Sequence, residues 1–270
     1  MSPGLSAALA AVFRPTPPSG RTSLSLTTQT PLELRGPFRR GSPGDAYFLR
    51  NSTAGIFACD SYSADLRTET GADVQVASSS ATKVHAMPQG EACVETSLGA
   101  AAGSRLVFGP HPIILQGNSS LRQATTVALQ PGGVVLLAEI LVLGRLSSGE
   151  YCEFRRFENG LQVRNSLTGL VYEERYILTP SPELRASLAG RGVIASIYGF
   201  GLDDGAAEGC LASDILLRHG LGGCSRLPNA AGAVLRLLAD SLSQGLAFSE
   251  CALARLREPG LGRSRADIGL

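Results

Sequence analysis

Between Ala46 and Arg164 apolar and polar residues alternate with a period of two, and no 3.6-residue stripe interrupts them. That is the pattern of strands with one buried face. Tyr62, Ala64 and Leu66 alternate before Gly71-Ala72-Asp73-Val74 turns the chain into a new strand. Val94, Thr96 and Leu98 do the same before Gly103-Ser104-Arg105-Leu106, and Val127 and Leu129 before Gly132-Gly133-Val134-Val135. The turn glycines 71, 103 and 132 are spaced by 32 and 29 residues, a period in the range of repeat architectures. Strands that cannot cover their own apolar face must stack on the next unit, which predicts solenoid-like, stacked β-sheets. From the repeat alone, a β-sandwich with evenly spaced hairpins is an equal alternative.

The flanks follow the same logic. Leu5 to Phe13 is apolar but has no preceding Lys or Arg, and Arg14-Pro15 follows where a cleavage site needs small residues, so it reads as a short pre-strand or frayed leader. Thr22 to Thr30 sets Leu24 and Leu26 among Ser and Thr, a strand; Arg35 to Gly44, rich in Gly, Pro and Arg, reads as a loop. Tyr151 to Arg164 and Leu170 to Leu178 continue in β style, and Pro182-Glu183 opens a short helix to Ala189. Gly192 to Gly201 is an apolar strand, and Gly199 to Gly205 a turn that only loosely resembles a dinucleotide loop. After Pro228, Asn229 can cap a helix in which Leu235, Leu238, Leu242, Leu246, Leu253 and Leu256 recur at helical spacing until Pro259-Gly260. The expected organisation is a flexible leader over 1–20, a single mainly β domain over 21–261 that includes a C-terminal helix at about 229–258, and a flexible tail over 262–270.

Composition removes several function classes. A net charge of +1 with interspersed Arg and acidic residues leaves no footprint for nucleic acid, and near-neutrality gives little colloidal repulsion, which suits a protein held in a complex. Cysteines at 59, 93, 152, 210, 224 and 251 form no C-x-x-C pair, so free cytosolic thiols are expected and not a zinc site. No apolar run is long enough to span a bilayer; Gly133 to Leu143 is too short and carries Glu139. A cytoplasmic protein is expected. There is no phosphate loop of the G-x-x-x-x-G-K-[ST] type, no G-x-S-x-G elbow and no H-E-x-x-H. Three histidines, His85, His111 and His219, leave little material for a triad or a histidine-rich metal site. His111, between Pro110 and Pro112, has a ring of fixed direction and reads either as a functional residue or, more simply, as a strand-end histidine with no role beyond hydrogen bonding.

Carboxylates remain: Asp60, Glu139, Glu150, Glu173 and Glu174. Glu139 interrupts the otherwise apolar Val134 to Leu143, where an unpaired charge is costly. Either it reaches a basic partner such as Arg145 or it faces a water-filled space. A second anomaly is Ala77 to Met87, a hydroxyl-rich run holding Lys83, the only lysine; on its own it reads as a solvated loop or sheet edge.

Gly55-Ile56 followed by Asp60, then Ala81-Thr82-Lys83-Val84-His85, then Pro110-His111-Pro112, then Ala138-Glu139-Ile140-Leu141-Val142-Leu143-Gly144-Arg145 with Gly149-Glu150, resembles in order and spacing the urease accessory proteins of the UreD (UreH) family. Gly223-Cys224-Ser225-Arg226-Leu227-Pro228 is similar to that family's G-x-S-x-L-P. The resemblance runs from about Leu24 to about Leu261. Ala58-Cys59 stands where the family commonly has Gly-Gly, Ala138 where it has tryptophan, and His85 where tyrosine is frequent.

The resemblance implies a β-helical fold with a few helices near the C-terminus and a non-catalytic role. Such proteins bind apo-urease and, with UreF, recruit the GTPase UreG, so that Ni²⁺ reaches the urease active site. No tightly bound cofactor is expected, only transient Ni²⁺, and neither nucleic acid nor membrane as partner. In the family a polar internal channel is thought to carry the ion; the matching positions here are Asp60, Thr82, Glu139 and Glu174. Carboxylates, hydroxyls and waters release Ni²⁺ where imidazole and thiolate cages retain it. The competing readings are a β-solenoid enzyme acting on carbohydrate with Asp60 and Glu139 as acid and base, which the absence of tryptophan disfavours, and a purely structural scaffold with an ion-paired Glu139.

Overall fold

A computed structural model of the chain describes residues 4–17, 19, 21–38, 44–202 and 221–257. Sixteen strands and two α-helices are present among them. In chain order the strands are β1 Ser6–Thr16, β2 Arg21–Thr28, β3 Leu32–Phe38, β4 Asp45–Asn51, β5 Ser61–Thr68, β6 Asp73–Ser78, β7 Thr82–Val84, β8 Ala92–Ala100, β9 Arg105–Leu115, β10 Ser120–Leu129, β11 Val134–Val142, β12 Arg156–Asn165, β13 Gly169–Leu178, β14 Val193–Phe200, β15 Leu221–Arg226 and β16 Gly232–Ala239. Helix α1 spans Pro182–Ser187 and α2 spans Leu242–Arg257.

The chain shuttles between two sheets. Sheet A has the order β13-β12-β10-β8-β5-β1-β2; sheet B has the order β15-β16-β14-β11-β9-β6-β4-β3, with β7 also paired to β9. Within sheet A, β1, β5, β8, β10 and β12 pair in parallel, and within sheet B β4, β6, β9 and β11 do so. Each passage from one sheet to the other and back is one coil of a β-solenoid, and the expected stacked architecture, not the sandwich alternative, is the one found.

The turn glycines explain the coil. Gly71, Gly103 and Gly132 have φ of 78°, 64° and 74°, a region open to glycine without a Cβ penalty. Successive turns bond to one another: Gly103 N donates to Gly132 O at 3.1 Å, Arg105 N to Ala72 O at 2.8 Å and Val134 N to Ser104 O at 2.9 Å. Just inside them, Leu66, Leu98, Val127 and Val163 form one aliphatic rung of sheet A, and Val74, Leu106, Val135 and Phe200 the corresponding rung of sheet B. All eight are fully buried.

Sheet B is covered on both faces. Leu136, Ala138, Ile140 and Val142 of β11, Val193, Ala195 and Ile197 of β14, and Leu235 and Leu237 of β16 pack under Phe248, Ala252, Leu253 and Leu256 of α2. Strands buried on both sides read as continuous apolar runs. This corrects the expected helix at about 229–258: Leu235 and Leu238 belong to β16, Asn229 sits in a 3-10 turn (Pro228–Ala230) and caps nothing, and the helix begins only at Leu242.

Two further expectations are revised. The expected leader over 1–20 contains β1, with Ala7, Leu9, Ala11 and Phe13 buried and pairs made to both β2 and β5; of the two readings of Leu5 to Phe13, the strand and not the frayed leader is found, tied down by alternating burial. The expected loop from Arg35 carries the end of β3 as far as Phe38. The helix expected from Pro182 is α1, with Ser181 as its cap: the Ser181 hydroxyl accepts from Leu184 N at 3.1 Å. Residues 203–205 of the expected turn, Cys210, His219 and the tail over 262–270 lie outside the described residues. Cys59, Cys93, Cys152 and Cys251 are free thiols. No helix among the described residues is long and apolar enough to cross a membrane.

Candidate functional site

The interior is aliphatic next to the turns and polar further along the strands. Across sheet A one rung reads Tyr62, Val94, Gln123, Asn159 and Tyr176, each the register partner of the next. Across sheet B the rung is His111, Glu139, Ser196 and Arg236. The two rungs face each other. Gln123 Nε2 donates to Glu139 Oε1 at 2.8 Å and to Asn159 Oδ1 at 3.1 Å, and Asn159 Nδ2 donates to Glu139 Oε2 at 3.3 Å. Between the sheets lies a cavity of about 130 Å³ whose wall includes Tyr62, Thr82, His111, Gln123, Glu139 and Tyr176.

A bulge sets this geometry. From Leu137 to Glu139 β11 advances by two residues, while β9 advances from Phe108 to His111. The extra residue falls at Gly109-Pro110, where φ of Gly109 is 118° and an added Cβ would stand 2.5 Å from Ala138 O. Bulges re-aim side chains. Here Phe108 and His111 share the inner face, their rings stacked with centroids 4.0 Å apart, and His111 Nε2 donates to Val76 O at 3.3 Å.

Electrostatics follow from burial. The surface Glu139 retains is wall of the cavity, so its carboxyl is surrounded by protein; that desolvation, with the charge of Glu174, pushes it up to about 7 against the opposing hydrogen bonds from Asn159 and Gln123. Near neutral pH it is therefore poised between its acid and its anion. Burial pushes His111 down to about 4 and keeps it neutral. The expectation that Glu139 pairs with Arg145 is not met: Arg145 binds Glu150 at 2.6 Å, and Glu139 is held by two amides. Of the two expectations, the remaining one is a space beside Glu139, and the carboxyl does stand in the wall of a cavity.

The other predicted residues are distributed along and around this line. Glu174, on β13, accepts from Arg236 Nη2 at 2.6 and 2.7 Å and from the hydroxyls of Tyr172 and Tyr198, so the polar rung ends in an ion pair that is half open to solvent. Burial raises the Tyr176 and Tyr198 hydroxyls, which stay protonated. Thr82 lies at the opposite end, where the cavity meets a surface pocket of about 260 Å³ formed by Arg50, Asn51, Thr53 to Gly55 and Ser78 to Lys83.

Asp60 does not line the cavity. Its Oδ1 accepts from Leu5 N at 2.8 Å and its Oδ2 from Phe57 N at 2.8 Å and Tyr62 OH at 3.2 Å. The carboxylate ties β1 to the start of β5 and touches the polar rung only through Tyr62. Among the described residues no three His, Cys, Asp or Glu side chains gather into a metal-holding cluster.

Gln123, Asn159, Ser196, Tyr176 and Arg236 escaped the sequence reading. A signal existed: Gln123 stands in phase with Leu121, Thr125 and Val127, and Asn159 with Phe157 and Leu161, so each is a polar residue at an inward position of an alternating strand. The exchange of Gly-Gly for Ala58-Cys59 also has a structural trace, because Cys59 adopts φ of 64°.

Residues 6–268 match the sequence family described as "UreD urease accessory protein". The chain is 30% identical over 259 residues to the urease accessory protein UreD of Trichodesmium erythraeum, covering 88% of this chain and 90% of that one. It is 30% identical over 262 residues to UreD 2 of Streptomyces griseus subsp. griseus, with 92% and 89% covered. To the UreD of Haloarcula marismortui it is 28% identical over 204 residues, with 73% and 67% covered.

Proposed function

The chain belongs to the UreD family of urease accessory proteins, and on that premise we propose that it serves urease maturation as a non-catalytic scaffold. In this reading it binds apo-urease and, with UreF and through it the GTPase UreG, helps deliver Ni²⁺ to the urease active site. The observation that carries the nickel part is Glu139, held by Gln123 and Asn159 on the wall of an internal cavity. A conduit needs donors that compete with water without trapping the ion. One carboxylate, amide and hydroxyl oxygens and the neutral ring of His111 form such a set, weaker than a cage of thiolates or several imidazoles.

Glu139 takes up the cation as its proton leaves, and the amides of Gln123 and Asn159 hold the carboxylate in place. Tyr176 and the Glu174–Arg236 pair lie beyond it, on the way to the outer face. The carbohydrate-enzyme alternative needs Asp60 and Glu139 to flank one bond; Asp60 is engaged outside the cavity. The ion-paired scaffold alternative needs a basic partner for Glu139, and its direct hydrogen bonds come from amides.

The test is reconstitution of urease activation with Glu139→Gln, alongside wild type, apo-urease and the partner proteins. The variant is expected to assemble normally but to lower nickel content and urease activity. Wild-type activation by Glu139→Gln would end the conduit reading. Failure of the wild-type chain to co-purify with apo-urease and UreF would end the scaffold reading.

A further inference from the structure

The pocket at the outer end of the cavity is built for the opposite charge from the cargo proposed above. It is formed by the end of β4 with the loop after it and by Ser78 to Lys83, encloses about 260 Å³, and contains two cations, Arg50 and Lys83, with the hydroxyls of Thr53, Ser78 and Ser80 and no carboxylate. Neither Arg50 nor Lys83 makes an ion pair or side-chain hydrogen bond among the described residues. Glu33, the register partner of Arg50, binds Arg35 instead, at 3.0 Å. The amides of Ser79 and Ala81 donate to no backbone carbonyl among the described residues. Arg14, Arg67, Arg105, Arg145, Arg175 and Arg236 are ion-paired, whereas this hydroxyl-lined site holds two cations that are not.

From this we infer that the pocket is a binding site for a small oxyanion of the phosphate, sulfate or bicarbonate class. Lys83 supplies a point charge, Arg50 a planar fork of donors, and the serine loop neutral donors. Both cations are exposed, so an anion reaches them directly from solvent. The inference does not depend on the nickel reading, but it bears on it. Two bare positive charges beside Thr82 oppose the entry of a divalent cation from this side, and a bound anion cancels them.

Lys83 is the only lysine, so the site can be watched directly. Reductive ¹³C-methylation of the full chain gives a single side-chain lysine resonance. Sodium phosphate, sulfate and bicarbonate are titrated separately, with chloride at matched ionic strength as reference. A saturable shift with at least one oxyanion, weakened about tenfold by Arg50→Gln and unchanged by Glu139→Gln, is expected. The order of the three affinities identifies the ligand. A shift no different from that of chloride, an affinity indifferent to Arg50→Gln, or one abolished by Glu139→Gln overturns the site.

Discussion

Glu139 and His111 are register neighbours on adjacent parallel strands, and the same burial moves their proton affinities in opposite directions. Neither is charged by preference in the place where it sits. The pair is a matched set of neutral groups near pH 6, and its consequences for stability oppose each other.

The Glu139 carboxyl is raised from 4.5 to about 7, so the folded chain keeps a proton that the unfolded chain releases. Stability from this group falls as pH rises from 4.5 to about 7, by about 3 kcal/mol, and is level above. His111 is lowered from 6.5 to about 4, so the unfolded chain takes up a proton that the folded chain refuses. Its contribution is complete above 6.5 and is lost as pH falls towards 4, again by about 3 kcal/mol. Between these limits the slopes nearly cancel in the wild type. Glu139→Gln leaves the histidine slope, with stability rising with pH; His111→Gln leaves the carboxyl slope, with stability falling. Urea unfolding at several pH values reads both, and slopes of the same sign in the two variants would contradict the arrangement.

Asp60→Ala is expected to destabilise the fold rather than act selectively on metal transfer. It strands the amides of Leu5 and Phe57 and the hydroxyl of Tyr62, all of which donate to this buried carboxylate. The cost is about 2–4 kcal/mol, seen as a lower urea midpoint at unchanged slope. Because β1 is anchored there, limited proteolysis before β5 should accelerate. An Asp60→Ala chain as stable as wild type but inactive in urease activation would return Asp60 to the conduit.

The coil was legible because its signal is local: strands with one buried face alternate, and turn glycines recur where the chain changes sheet. The same rule hid the C-terminal strand. In β16 residues on both faces are buried, Leu235 and Leu237 under α2 and Val234 towards the interior, so no alternation survives and leucine spacing imitates a helix. Glu139 was legible as a charge in an apolar strand. Its clamp was not, because Gln123 and Asn159 come from strands of the other sheet and meet it only after the coils stack. Asp60 was read from its motif, which carries position but not the direction of the carboxylate.

Cys59→Gly tests the departure from the family pattern at the turn before Asp60. Cys59 holds φ of 64°, and a non-glycine residue in that region costs roughly 1–2 kcal/mol. Glycine removes this strain but adds freedom to the unfolded chain. The net expectation is a gain of about 0.5–1 kcal/mol and about 2 °C in Tm. Differential scanning calorimetry under reducing conditions measures it, and a loss of stability would mean that the thiol side chain contributes more than its backbone costs.

Gly109→Ala tests whether the bulge positions the cavity wall. At φ of 118° the new methyl group would stand 2.5 Å from Ala138 O, a backbone atom that can yield only by moving β11. Gly71→Ala is the control: it also has a positive φ, of 78°, but open space around the added carbon. The control should lose about 1 kcal/mol from backbone preference alone, and Gly109→Ala at least about 2 kcal/mol more, because steric strain adds to it. Displacement of β11 at Ala138 also shifts Glu139 relative to Gln123 and His111 relative to Phe108. The histidine ring should then lose its shielding by Phe108, visible as an altered chemical shift for the His111 ring protons and a proton affinity moved back towards 6.5. If the two alanine variants lost equal stability and His111 titrated as in the wild type, the close approach at Gly109 would have no part in shaping the site.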